Sequence, residues 1–234
     1  LALAAAAYPE NSAVQMYLGE PQPWSQPTLP ENAPLWAQHQ HQALLSLSEV
    51  IDYWISERQA EDGQFGGGWG DDVEMWRWWA PVLLGYDTPE LAAAQRLLAE
   101  GIFELERLSQ GYTSMVIDVE HGSEDSADSL TPMLQLFPEE PIWRQRAQRL
   151  IELMSELWTA ENDYGDRHFR SSYFSATELS DSPDKACDTP YHTRVIQPAL
   201  LLWQQDASAD VTPILQWLQG WSAASFRAAN GKAA

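Results

Sequence analysis

The chain has 234 residues, 44% of them hydrophobic, and a formal net charge of −21 at pH 7. That size supports one large core or at most two small domains, and the charge argues against nucleic acid and anionic membrane surfaces, since no basic stripe is present to neutralise phosphates. The single cysteine, Cys187, rules out an internal disulfide framework and disfavours a cysteine-based zinc site, and no run of 18 apolar residues predicts a transmembrane helix.

Residues 1–32 are Pro-rich and irregular (YPEN, GEPQPW, SQPTLPENAP) and read as a wrapping arm or linker. Their Ala-rich start, LALAAAAYPE, resembles the tail of a signal segment, which favours a secreted or periplasmic protein, although no Met or basic stretch precedes it. Together with the ending FRAANGKAA, that start reads as a piece of a longer protein, with a further domain of the same protein as a partner. Residues 33–234 form the helical domain. Helical periodicity predicts a helix from about 34 to 59, then a Gly-rich loop, EDGQFGGGWGD, at 61–71. Further helices are expected over 72–85, 89–110 (Thr88 as N-cap, Pro89 at its first position), 124–137, 141–160, 189–205 and 209–228. The longest connection, 161–188, contains FRSSYFSATEL, which is expected to pair as short strands.

Three of these helices carry one pattern. Aligned on Pro81, Pro132 and Pro198, the segments 71–87, 124–138 and 189–206 place Glu74, Asp125 and Tyr191 seven residues before the proline. Arg77, Asp128 and Arg194 stand four before it, and an apolar run follows. Residues three apart share a helix face, so each segment presents a polar pair near its start and a buried half beyond. Each proline removes the hydrogen bond to the carbonyl four residues earlier, which predicts a kink or a widened turn there. Connections after these helices are short and those before them are long (60–71, 111–123, 161–188). In antiparallel hairpins this alternation gathers the long loops at one end, where sites are built. The expected class is all-α, an α/α toroid or part of one, with its polar pairs at the mouth.

The alternation over roughly 35–228, together with FGGGWGDDVEMWRWW (65–79), resembles the α/α-toroid carbohydrate-active enzymes: the six-hairpin glycosidase-like proteins and the toroidal polysaccharide lyases. The resemblance is at the level of the superfold, and it implies an oligo- or polysaccharide substrate and an acidic residue delivered by the Gly- and Trp-rich loop to the start of an inner helix. A second resemblance is carried by Gln59, Gly63 and Phe65, which match the Gln-x-x-x-Gly-x-aromatic motif of terpenoid cyclases, also α/α toroids. The motif occurs once here, and the Asp-x-Asp-Asp spacing of those enzymes is missing.

Candidate residues follow from the pattern, each beside a plainer alternative. Asp71, Asp72 and Glu74 open one helix, where acids cap the N-terminus and complement the dipole. Asp72 or Glu74 in a mouth lined by Trp69 and Trp76 would instead serve as a general acid with a raised pKa, with Glu124, Asp125 or Asp128 as the second carboxylate that glycoside hydrolysis needs. His121, flanked by acids, is a proton carrier or a solvated loop residue. Glu120, His121, Glu124 and Asp125 would make an oxygen-rich cation site, but their spacing matches no metal motif, so neither metal nor cofactor is expected. Tyr191, His192 and Arg194 open the third repeat. There, Arg194, helped by Arg77, would clamp a uronate carboxylate while Tyr191 or His192 moves a proton during β-elimination, or else Tyr191 caps the core and Arg194 pairs with an acid. Arg167, His168 and Arg170 are read as a substrate-binding lid.

These residues support a glycoside hydrolase first, with a polysaccharide lyase or a hydrolase of uronate-containing products second. A non-catalytic sugar-binding or interaction module is third, favoured by the small number of hairpins for a closed ring. Twelve Trp and eight Tyr suit sugar stacking and equally suit a helical core.

Overall fold

A computed structural model describes residues 2–11, 14, 15, 18, 32–85 and 88–226. Its contacts divide the chain into Leu1–Ile51 and Asp52–Ala234. In the first unit, the Ala-rich start forms a short helix, α1 (Ala2–Ala7), and most of the Pro-rich arm, 19–31, lies outside the described residues. Helix α2 (Leu35–Arg58), whose residues up to Ile51 belong to this unit, opens with a side-chain bond from Gln38 Nε2 to the Ala33 carbonyl at 2.7 Å.

The second unit is mostly helical. Its helices are α3 (Trp69–Gly85), α4 (Pro89–Phe103), α5 (Val119–Ser123), α6 (Ser129–Leu136), α7 (Pro141–Leu153), α8 (His192–Gln205) and α9 (Thr212–Phe226). A π-helical turn, Glu124–Asp128, joins α5 to α6, and a second, Met154–Trp158, ends α7. The bounds differ from expectation at both ends: the helix expected over 89–110 stops at Phe103 and that expected over 141–160 at Leu153, before a π turn. The helix expected from residue 72 begins at Trp69, within the Gly-rich loop, and that expected from 124 begins at Val119 and runs through the π turn. The first short connection, 86–88, has residues 86 and 87 outside the described set.

The order of packing follows the repeat. The second repeat helix, π turn plus α6, touches both α3 and α8; α4 packs on α3 and α6, and α7 packs on α6 and α8. All three internal prolines lie inside helices. The widened turn is found in the second repeat, ending at Asp128, whose carbonyl loses its donor to Pro132.

Four short strands form two antiparallel pairs: β2 (Thr159–Glu161) with β3 (Arg167–Phe169), and β1 (Ile117–Asp118) with β4 (Tyr173–Phe174). The segment FRSSYFSATEL therefore pairs largely outward. Its Phe174 and Tyr173 face Ile117 and Asp118 of the preceding long connection, and its Phe169 faces Thr159. The core runs through Leu130, Met133, Leu134, Trp143, Trp158, Phe169 and Phe174, all buried. Each such side chain contributes about 1.5–3 kcal/mol on leaving water.

Two of the long connections, 111–123 and 161–188, pair directly. Val119 N–H donates to Ser172 O at 2.9 Å beside the β1–β4 pair, and a Cβ on Gly70 would lie 3.0 Å from Glu124 Oε2. This contact joins 60–71 to the helix that follows 111–123, and the β1–β4 pair joins 111–123 to 161–188.

Candidate functional site

Asp128 is the centre of an ion cluster. It ends the π turn, its side chain is 4% exposed, and its Oδ2 accepts from Arg77 Nη1 at 3.0 Å and from Arg194 Nη2. The three residues that share the position four before each proline thus meet in space. Arg77 also donates to Glu74 Oε1 at 2.9 Å. Arg194 lies 3.5 Å from Glu120 Oε1 and 3.7 Å from Glu124 Oε1. Four carboxylates (Glu74, Glu120, Glu124, Asp128) face two guanidiniums, so full ionisation leaves the group at −4 + 2 = −2.

Glu124 carries the consequence. Its side chain is 8% exposed, and burial pushes its carboxyl pKa up to about 7, with the charges of Glu74 and Asp128 adding to the rise against the pull of Arg194 and His121. The π turn sets it in the helix start beside the Gly-rich loop, with the main chain of Gly70 against its carboxyl. A protonated carboxyl at near-neutral pH, beside more exposed carboxylates at Glu74 and Glu120, is the chemistry of a general acid paired with a base.

The Gly-rich loop is held by Asp72. Its Oδ2 accepts the Phe65 N–H at 2.8 Å and its Oδ1 accepts the Gly67 N–H at 3.0 Å. Asp72 is buried, and both of its oxygens are engaged in anchoring backbone. Asp71 is exposed in the first turn of α3. Gln59 Nε2 donates to Gly63 O and, at 2.9 Å, to Ala94 O. Phe65 packs at 5.9 Å from the Trp76 ring and 6.1 Å from that of Trp79. The Gln-Gly-Phe motif thus clamps this loop onto α4 and the aromatic core.

The other expected residues divide. Asp125 turns away from the cluster to Arg107, whose Nε and Nη2 lie 2.8 and 2.7 Å from its Oδ2. Tyr191 is 51% exposed, too open to cap the core. His121, 61% exposed, pairs with Asp118 at 2.8 Å, and this bond raises its pKa. The proposed cation quartet is therefore dispersed: His121 goes to Asp118, Asp125 to Arg107, and Glu120 and Glu124 to Arg194. Among the described residues no cluster of His, Cys, Asp and Glu with metal-binding geometry occurs.

His192 corrects an expectation. It is fully buried, stacked 4.1 Å from Phe169, with Nδ1 accepting the Thr189 N–H at 2.9 Å and Nε2 at 3.1 Å from Ser171 O. A histidine with both nitrogens engaged and no open face is a core residue and cannot serve as the proton carrier of an elimination. Arg167, His168 and Arg170, expected as a lid, are tied to their surroundings, and Arg167 and His168 line a small cavity beside α9. Arg167 bonds Thr159 at 2.7 Å and Gln216 at 2.8 Å, which fastens β3 to its own hairpin and to α9. His168 Nδ1 lies 2.8 Å from Phe169 O, and Arg170 Nη1 donates to Leu157 O at 3.3 Å. Trp69 packs against Gly101 of α4 rather than lining the cluster, and Trp76 is 2% exposed, so it offers no open stacking face at the mouth.

A cavity of about 320 Å³ adjoins the ion cluster, sharing Arg77 and Asp128 with it. Its wall is mainly apolar and comes from α3, α4, α6 and α8. Sequence reasoning passed over Gln95 in this wall, whose one visible signal was an amide inside the apolar stretch LAAAQRLLA, and Arg107, which draws Asp125 away from the cluster.

No protein-family model, curated protein or solved structure matches this chain. Among the described residues no helix is long and apolar enough to cross a membrane.

Proposed function

We propose that this chain belongs to an α/α-toroid carbohydrate-active enzyme that hydrolyses glycosidic bonds, with Glu124 as the general acid. The observation that carries the reading is the environment of Glu124: a nearly buried carboxyl, held protonated close to neutral pH, in a cluster with an excess of negative charge and with the main chain of Gly70 against it. Glu74, less buried at 41% side-chain exposure, is the partner carboxylate, activating water or attacking the sugar once Arg77 releases it. Asp128 and its arginines position both. Asp72 anchors the loop that brings the chain of Gly70 against the acid.

Hydrolysis is favoured over uronate elimination by how the arginines are used. Arg194 is 13% exposed and meets three carboxylates, and Arg77 meets two. Neither has a free Nη pair for a uronate carboxylate, and His192 is sealed in the core. The substrate class that fits is therefore a neutral oligo- or polysaccharide.

The test is incubation with a panel of neutral and uronate-containing oligosaccharides, read by new reducing ends and by absorbance of the unsaturated uronate. Reducing ends without absorbance, lost in Glu124→Gln, are the expected result. Absorbance appearing with the reducing ends, or undiminished turnover in Glu124→Gln, would overturn the assignment.

A further inference from the structure

His121 and Glu124 stand three apart on α5 and the turn that continues it, a spacing that puts two side chains side by side on one helix face. They differ in access to water. The Glu124 side chain is 8% exposed, with the main chain of Gly70 against it, and that of His121 is 61% exposed. The imidazole is also aimed. Asp118, the N-cap of α5, accepts the His121 N–H at 3.1 Å, and its two carboxylate oxygens lie 2.9 and 2.8 Å from His121 Nδ1. One carboxylate therefore holds both the main chain and the ring of His121. Nδ1 keeps its proton on that bond, and Nε2, which has no partner among the described residues, is the nitrogen left to gain and lose one. Burial works to raise the Asp118 pKa, but the bonds from His121 outweigh it and lower it, and the bond to Asp118 raises that of His121. The other charges facing the pair are Glu120 on α5, Asp128 of the π turn, Glu74 on α3 and Arg194 on α8. Strand β4 adds Tyr173, opposite Asp118, with Lys185 Nζ 4.4 Å from its ring centroid.

We propose that His121, aimed by Asp118, is the proton carrier of Glu124, moving a proton between solvent and the nearly buried carboxyl. In loading, the imidazolium gives its Nε2 proton to the Glu124 carboxylate, which leaves a neutral carboxyl and a neutral imidazole. Nε2 then takes a proton from hydronium or a buffer acid, and discharge runs the same steps backwards. The proposal deepens the reading of Glu124 as general acid and rests on it for its use in turnover, since an acid that has given up its proton regains one before the next substrate.

The experiment is carboxyl carbon-13 relaxation dispersion of Glu124 in the full chain, without substrate, near pH 7 and in minimal buffer. Wild type, His121→Gln and Asp118→Asn are compared, and the method reads exchange on the μs–ms timescale. Exchange about tenfold or more slower in His121→Gln, restored by added imidazole, is expected. Asp118→Asn, which keeps an acceptor for the helix start and loses the anion behind the ring, should slow exchange as well. The Glu124 midpoint should rise in His121→Gln, because a neighbouring cation is gone. His121 is exposed, so its replacement should fold, and thermal unfolding checks both variants. Wild-type exchange in His121→Gln, or slow exchange that imidazole does not restore, overturns the carrier role; wild-type exchange in Asp118→Asn overturns the aiming by Asp118. No substrate enters these measurements. Absence of sugar cleavage would therefore remove the hydrolase reading and leave the carrier to be decided by the exchange rates, while cleavage with unchanged rates would retire the carrier alone.

Discussion

Arg77 and Arg194, 117 residues apart in the chain (194 − 77), donate to the same oxygen, Oδ2 of Asp128. One carboxylate therefore ties the first and third repeat helices to the second. Breaking a buried ion pair by removing one partner costs about 3–5 kcal/mol, because the remaining charges stay desolvated. Asp128→Ala should lose stability on that scale, and Arg77→Met less, since Arg77 is one-third exposed. Urea unfolding of the two variants against wild type measures both.

Glu124 sets a pH dependence. Its folded pKa, about 7, lies above the value of a free glutamate, so the folded state holds a proton that the unfolded state has already released between these limits. Stability from this group is therefore lost as pH rises from about 4.5 to 7 and changes no further above that. Glu124→Gln should be more stable than wild type at pH 7, on the order of 1–3 kcal/mol, with the difference shrinking toward pH 4.5. Thermal unfolding across that range checks it.

In the proposed hydrolase the same group sets the pH dependence of turnover. If Glu124 delivers the proton, kcat/KM on a cleaved oligosaccharide falls as pH rises through about 7, and Glu124→Gln loses roughly 10²–10⁴-fold in kcat with little change in binding. A wild-type profile flat between pH 6 and 8 would contradict this role.

Asp72 should prove to be structural. Asp72→Ala removes acceptors from the Phe65 and Gly67 N–H groups and should cost about 1–3 kcal/mol. Asp72→Asn keeps one acceptor and should cost less, while retaining most activity. A collapse of kcat in a stably folded Asp72→Asn would move the acid from Glu124 to Asp72.

Two glycines of the neighbouring loop separate strain from clash. Gly66 has φ +96° with open space where a methyl group would point, and Gly63 has φ +99° with a Cβ position 2.6 Å from Leu97 O. Ala at Gly66 should cost about 1–2 kcal/mol from backbone strain. Ala at Gly63 should cost a further 1–3 kcal/mol because the main chain of α4 must move. Differential scanning calorimetry of the two single variants tests the ranking.

Much of the arrangement was legible before folding because it repeats. Proline spacing placed Arg77, Asp128 and Arg194 at one register position, and the structure brings those three together. Loop lengths predicted that 60–71, 111–123 and 161–188 would gather; 111–123 and 161–188 pair through β1–β4, while Gly70, at the end of the first, meets Glu124 of the helix that follows the second. Periodicity located the helices but erred at their ends, since a π turn and a Gly-rich segment that turns helical at Trp69 leave little periodic trace, and the apolar pattern of 104–110 continues past the helix that stops at Phe103.

What the sequence by itself determined, then, is helical class, the order of the helices and the shared register of Arg77, Asp128 and Arg194, since these follow from short-range spacing along one chain, whereas Glu74, Asp125 and Tyr191 share a register but not a place. Only the tertiary structure decided which equivalent side chains are chemically available. Asp125 and Asp128 stand three residues apart with the same functional group, yet one meets Arg107 and the other meets Arg77 and Arg194. Glu124, Asp72 and His192 are all ionisable groups near helix starts, yet burial raises one pKa, backbone N–H groups occupy the second, and aromatic rings seal the third. A side chain's proton affinity and reach depend on desolvation and on partners tens of residues away, and local spacing carries neither.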